Sequence, residues 1–380
     1  MRTGLLGGAL SLVCGICSTP PSLPVSLPVS PPAGPPPCLT APVPPISAPA
    51  RPLRFGITPL LAGSAGGVQQ PSAPDDPARD AAALKALQPA GHKLVMRINR
   101  VFESDGRAGI KRAVSLARRY GRMGFEVESQ VRYHPSSAQN GDMAAWERYV
   151  RQAVRALAPN RSLVALTITN EVNFPVSSNT SDGAFKNALD ALVGGIVTAR
   201  SELKRLGRPD VALGFSYAYR YLPNKDADFW NGIGARATPA FRAALDYVGV
   251  QLYPGLVFPP VLTPGQTAGD ATLDALALVR DCYMPLAKLG RGVQLWITEN
   301  GYATNLGHTE AQQVRDLSST IDAVHRYSGT LGVTDYRYFN LRDNRANGTD
   351  LFDDVGLVRA DYTRKPAFRT FRRLVARDGG

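Results

Sequence analysis

Cysteine and histidine are scarce in this 380-residue sequence, which holds four of each. Cys14, Cys17 and Cys38 fall in the N-terminal extension, and Cys282 stands alone in a helical pattern. That spacing is no disulfide framework and no set of metal ligands. The Cys14-x-x-Cys17 pair lies inside an apolar leader, where a redox role does not fit. Several catalytic signatures are missing as well. No H-E-x-x-H occurs, and Gly214-Phe215-Ser216-Tyr217-Ala218 departs from G-x-S-x-G, which removes the usual zinc- and serine-hydrolase grammar. Gly232-Ile233-Gly234 follows a helix and lacks a third glycine, so it is no dinucleotide fingerprint. No cofactor and no metal is expected. After the N-terminus no apolar run reaches about 18 residues, so no internal membrane span is expected.

Acidic charge is also in short supply. The formal net charge is +12, with a pI near 9.7. The basic residues are spread along amphipathic patterns, as in Arg112, Arg118, Arg119 and Arg122, which reads as a solvated helix face. No nucleic-acid motif accompanies them, and a nucleic-acid partner is not expected. An acidic or wall-bound glycan remains open as a target.

Residues 1–18 carry one arginine and an apolar core, a signal-like leader that predicts secretion or attachment to the cell envelope. Residues 19–52 are dominated by Pro, Ser, Ala and Val and read as an extended linker without a core. From residue 53 to 380 a rhythm sets in. Buried strands are predicted at Leu53–Ile57, Lys93–Asn99, Glu126–Tyr133, Leu163–Thr169, Val211–Tyr217, Tyr247–Leu252, Val293–Thr298 and Asp335–Phe339. Amphipathic helices alternate with them, around Ala78–Leu87, Ile110–Tyr120, Met143–Leu157, Phe185–Leu206, Phe241–Leu245, Leu273–Leu289, Ala311–Tyr327 and Pro366–Ala376. Asp142 and Asp182 stand where N-caps belong. Eight βα alternations at this length predict the α/β class and a (β/α)₈ TIM barrel.

Two of those strands end in the same way. Leu163–Thr169 runs into Asn170-Glu171, and Val293–Thr298 runs into Glu299-Asn300-Gly301. In a barrel the C-terminal strand ends share one mouth, where catalytic residues sit. The other strand ends offer Arg97, Arg100, Arg132, His134, Gln251, Tyr253 and Phe339. Two carboxyl groups among hydrogen-bond donors and aromatic rings are what glycoside hydrolysis requires. Glu299 suits a nucleophile, with Tyr253 and a strand-two arginine placed to keep it charged. Glu171 suits the acid and base, and Asn170 could hold a sugar hydroxyl.

Thr169-Asn170-Glu171 and Ile297-Thr298-Glu299-Asn300-Gly301 resemble the fourth- and seventh-strand signatures of clan A glycoside hydrolases. Gln251-Leu252-Tyr253-Pro254 resembles that clan's sixth-strand segment. Tyr338-Phe339-Asn340-Leu341-Arg342-Asp343 resembles the eighth-strand region. The resemblance implies a retaining mechanism on a (β/α)₈ barrel and a carbohydrate substrate. It implies Glu171 as acid/base and Glu299 as nucleophile. It assigns Asn170 to substrate binding, and Arg97 and Tyr253 to support of the nucleophile. Two positions depart from the pattern: Tyr338-Phe339 stands where a tryptophan platform is frequent, and Gln251 stands where asparagine is frequent.

Other residues admit plainer readings. His134 fits a sugar-binding residue or a structural histidine, and Trp230 a stacking platform or a core residue. Strand alternation turns Trp296 away from Glu299 and under a helix, and Glu103 reads as a rim residue. A catalytically inactive carbohydrate-binding barrel is the alternative function, and the intact pair of glutamates speaks against it.

Overall fold

The computed structural model describes residues 40–60, 74–219, 223–346 and 348–380. The leader, Cys14, Cys17, Cys38 and the linker up to residue 39 lie outside them. Eight parallel strands close in sequence order into a barrel: β1 (Arg54–Ile57), β2 (Val95–Phe102), β3 (Glu126–Arg132), β4 (Leu163–Ile168), β5 (Ala212–Ala218), β6 (Tyr247–Gln251), β7 (Gln294–Asn300) and β8 (Val333–Tyr338). The ring closes where Arg54 to Ile57 of β1 pair with Asp335 to Tyr338 of β8. All the predicted strands are present.

Helices α1 (Pro77–Leu87), α2 (Gly106–Arg122), α3 (Met143–Leu157), α4 (Ala188–Arg205), α5 (Pro223–Arg236) and α6 (Pro239–Ala244) cover the first part of the barrel. Next come α7 (Ala268–Leu278), a π-helical turn (Val279–Tyr283) and α8 (Met284–Leu286), which run on without a break. The last two are α9 (Glu310–Leu331) and α10 (Pro366–Asp378). The sequence dictates their orientation. In α2 the buried residues Ile110, Ala113, Ala117 and Tyr120 recur at helical spacing, so one stripe faces the barrel and the arginines face water. Asp142 caps α3 through the amide of Ala145, as expected. Among the described residues no helix is long and apolar enough to cross a membrane.

Three expectations need correction. Helix α5 carries Gly232 and Gly234, which masked its periodicity. A side chain at Gly234 would stand 2.1 Å from the Leu286 carbonyl oxygen, so the glycine lets α5 approach α8 closely. The linker from Thr40 onward lies on the barrel. The amides of Ser47 and Ala48 donate to Thr330 Oγ1 at 3.0 and 3.2 Å, and that of Arg51 to Ser328 Oγ at 2.6 Å. Ala41 and Val43 pack against the core. Cys282, on the π-helical turn, is disulfide-bonded, although the cysteine spacing gave no disulfide framework.

The barrel interior holds a layer of buried charge. Glu128 on β3 accepts from Arg97 Nε of β2 at 3.1 Å, from Arg337 Nε of β8 at 2.9 Å and from Thr167 Oγ1 of β4 at 2.9 Å. Asp335 accepts from Arg337 Nη2 and from Arg54 Nε of β1, both at 2.7 Å. Below it Trp296 stacks on Tyr247, ring centroids 3.6 Å apart and planes 4° from parallel. Trp296 therefore lies inside the barrel and not under a helix. Register shifts of β7 against β8 on either side of it break the alternation on which that expectation rested.

Removing one member of a buried ion network leaves its partners uncompensated. Glu128→Ala should therefore cost about 3–5 kcal/mol of stability in urea unfolding. Arg112→Ala, which breaks the exposed pair with Asp105, should cost at most about 1 kcal/mol. Equal losses would contradict this account.

Candidate active site

The C-terminal strand ends surround a cavity of about 370 Å³ that Glu171 and Glu299 both line. At the end of β4 the backbone is turned by two residues in the left-handed region, Thr169 at φ 66° and Glu171 at φ 47°. Neither is glycine, and such conformations need support from their surroundings. Asp182 supplies it. This buried carboxylate accepts from the amides of Asn170 at 2.8 Å and Tyr133 at 2.9 Å, and from Arg132 Nε at 2.8 Å. Asp182 was expected to cap a helix. Helix α4 instead begins at Ala188, and Asp182 pins β3 to the chain after β4. From the other side, Glu171 N–H donates to the Ser216 carbonyl of β5 at 3.1 Å, and Asn173 exchanges two hydrogen bonds with the backbone of Ala218.

Glu299 sits in a nest of donors. Arg97 Nη1 bonds Oε1, Gln251 Nε2 bonds the same oxygen at 2.9 Å, and Tyr253 OH donates to Oε2 at 2.9 Å. Charge-assisted bonds of this kind are strong and orienting. Arg97 is buried and reaches Glu299 from behind, so it supports the glutamate and does not line the cavity. Burial opposes its charge, and Glu299 and Glu128 outweigh that cost and raise its pKa. Burial also pushes the Tyr253 hydroxyl well above its ordinary range, with the Glu299 charge adding to it, so Tyr253 is a lasting donor.

Glu171 has the opposite surroundings. Loss of solvation raises its pKa first and the charge of Glu299 second, to about 8. Phe174, Val257, Phe258 and Phe352 contribute apolar walls to the cavity. The two carboxyl groups thus share one cleft with opposite surroundings, the arrangement acid–base chemistry calls for.

Asn170 is held by its amide. Its Oδ1 accepts from Gln130, Gln251 and Ser216 at 2.9, 2.8 and 3.1 Å, and its Nδ2 donates to the Thr180 carbonyl at 2.8 Å. An amide nitrogen has two hydrogens, which leaves one for a ligand in the cavity that Asn170 lines. Phe339 also lines the cavity, edge-on to Tyr253 with centroids 6.3 Å apart.

Two expected site residues lie elsewhere. Trp230 is fully buried on α5, stacked on Tyr283 at 6.0 Å and edge-on to Tyr217 at 5.1 Å, and belongs to the core. His134 fills space behind Phe102, ring centroids 4.7 Å apart, and its Nδ1 lies 3.2 Å from Ser104 Oγ. It does not line the cavity. Glu103, read as a rim residue, is buried at 1% exposure. Residues the sequence reading passed over are Gln130, which orients Asn170, and Gln251, which bridges Asn170 and Glu299. Gln251 stands at a strand end in the sequence, but its bridging role depends on partners that only the fold brings together. Among the described residues no group of three or more His, Cys, Asp or Glu is placed to hold a metal ion.

No family model and no curated protein matches the sequence. Solved structures do match. The chain is similar to a family 1 β-glucosidase from Thermotoga maritima, at 15% identity and TM-score 0.58 over 88% of this chain and 100% of that one. It is similar to GH5_18 from Streptomyces cattleya, solved with GlcNAc, at 17% identity and TM-score 0.58 over 86% of this chain and 80% of that one. It is also similar to fungal β-1,4-galactanases, at 14% identity and TM-score 0.55 over 79% of this chain and 92% of that one. At these identities the likeness is one of fold, and the fold is the (β/α)₈ barrel.

Proposed function

We propose that this protein is a retaining glycoside hydrolase of the clan A type, acting on β-glycosidic bonds of an oligo- or polysaccharide. The observation that carries the reading is the pair of carboxyl groups in one cleft with opposite surroundings. Glu299, held by Arg97, Gln251 and Tyr253, is the acceptor-only carboxylate that attacks the anomeric carbon. Glu171, protonated, gives its proton to the departing glycosidic oxygen. Water then enters, Glu171 takes its proton, and the oxygen displaces Glu299 from the sugar, restoring both groups. Asn170 gives its remaining N–H to a sugar hydroxyl, and Phe339 offers a face for the ring. The solved neighbours named β-glucosidase and β-1,4-galactanase support the choice of glycoside as substrate. The protein works outside the cytoplasm, a reading supported by the leader-like start and by the disulfide at Cys282, since disulfides persist in oxidising compartments.

An activated 2-fluoro glycoside tests the assignment directly. Peptide mapping should place the trapped sugar on Glu299, and a label on any other residue would overturn the mechanism. Glu171→Ala should lower turnover of substrates with poor leaving groups by about 10²–10⁴-fold. Substrates whose leaving group needs no proton should be much less affected, and azide should restore part of the rate as a glycosyl azide.

The pH behaviour follows from Glu171. Unfolded, it releases its proton near 4.5; folded, it holds it to about 8. Between these values the folded chain binds more protons than the unfolded one, so stability falls as pH rises through the window and then levels off. Glu171→Gln should remove this slope, gaining in melting temperature over the parent protein from pH 5 to 8. The parent's kcat/KM should fall on an alkaline limb with its midpoint near pH 8. A limb that survives unchanged in Glu171→Gln would assign it to another group.

A further inference from the structure

Among the described residues the charged side chains that line the cavity are Arg100, Arg132, Glu171 and Glu299. Three are balanced within the fold. Arg97 faces Glu299, Asp182 faces Arg132 at 2.8 Å, and Glu171 is kept protonated up to about pH 8. Arg100 is left over. Among the described residues it forms no ion pair, and Asp105, the acidic group that acts on it, is engaged by Arg112. Its side chain is nonetheless placed. The Arg100 guanidinium carbon stands 5.4 Å from the centre of the Phe102 ring, and that of Arg132 stands 5.2 Å from the same ring. Cation–π contact of this kind orients a guanidinium. It also sets two like charges against one ring, and Arg132 disfavours the charge on Arg100.

Arg100 is exposed at the β2–β3 end of the cleft. Its guanidinium is oriented by the Phe102 ring and has no acidic partner of its own among the described residues, and the cleft is where a ligand would bring one. Planar donors match carboxylate and sulfate oxygens two at a time. We infer that Arg100 forms a subsite for an anionic substituent, so that the preferred glycoside carries a carboxylate or a sulfate ester on a sugar ring. This rests on the glycosidase reading for the word glycoside, but its test is one of binding. The excess positive charge of the chain, +12, would favour the approach of such a ligand without conferring selectivity.

The experiment is calorimetry on the full chain carrying Glu171→Gln, with and without Arg100→Gln. The probes are 4-nitrophenyl β-D-glucoside, its 6-sulfate and 4-nitrophenyl β-D-glucuronide. With Arg100 present, at least one acidic probe should bind about tenfold or more tighter than the glucoside. Arg100→Gln should erase that preference, weakening the acidic probes about tenfold more than the glucoside, and Arg100→Lys should recover part of it. The acidic probe that gains more tells carboxylate from sulfate. Equal binding of all three probes, an equal loss on all three in Arg100→Gln, or no binding of either acidic probe would overturn the inference. Turnover is not needed, so a failure of the hydrolysis reading shows separately, as no release of nitrophenol by the unsubstituted protein from any of the three.

Discussion

The double ion pair of Arg97 is the constraint on which the rest of the site depends. One guanidinium joins Glu299 at the cleft floor to Glu128 inside the barrel. Glu128 in turn holds Arg337, and Arg337 holds Asp335. The end of β7 that carries Glu299 is thereby fixed to β2, β3 and β8 through side chains, over and above the backbone ladder. Buried charge of this kind contributes little net stability, because desolvation offsets most of the attraction. Its effect here is geometric. A carboxylate held at one oxygen by Arg97 of β2 and Gln251 of β6, and at the other by Tyr253 just beyond β6, is fixed in direction.

The opposite end of the cleft is positioned by other means. Asn170 and Glu171 sit on backbone that the left-handed Thr169 and Glu171 bend away from β4, and Asp182 holds that bend by taking the Asn170 and Tyr133 amides. Gln251 then links the two ends, giving one N–H to Asn170 and another contact to Glu299 from the same nitrogen. Loss of solvation at Glu171 and charge compensation at Glu299 are therefore properties of one connected framework. A change at Gln251 or Asp182 acts on both glutamates through it.

How much of this was legible in the sequence depends on the distance over which each cause acts. Buried strands announce themselves by local composition, and the eight-fold alternation defined the barrel and aligned Asn170-Glu171 with Glu299. Tyr253 and Phe339 followed from their places at strand ends. The failures came where a partner distant in sequence decides. Trp230 was open between platform and core because α5 was hidden behind Gly232 and Gly234, and the fold places it in the core. Trp296 was turned the wrong way by bulges in β7 that no local pattern marks. Asp182 had the look of an N-cap, and only the fold brings Arg132, Tyr133 and Asn170 around it. His134 has the chemistry of a binding residue but stands one layer behind Phe102.

Phe339 and Gln251, two places where the sequence departs from the clan A pattern, both line the cleft. Gln251 touches Asn170 and Glu299 together through one nitrogen. Phe339 presents a ring without an N–H, and it meets Tyr253 and Phe352 edge-on, which makes that wall apolar. The polarity is displaced to the opposite wall, where Asn99, Arg100 and Arg132 line the cleft. A ligand in a cleft that is apolar on the β6–β8 side and carries the Arg100 guanidinium on the β2–β3 side would meet unlike chemistry at its two ends. On the proposed glycosidase reading, selectivity would therefore reside less in the glutamates than in the unequal walls on either side of them.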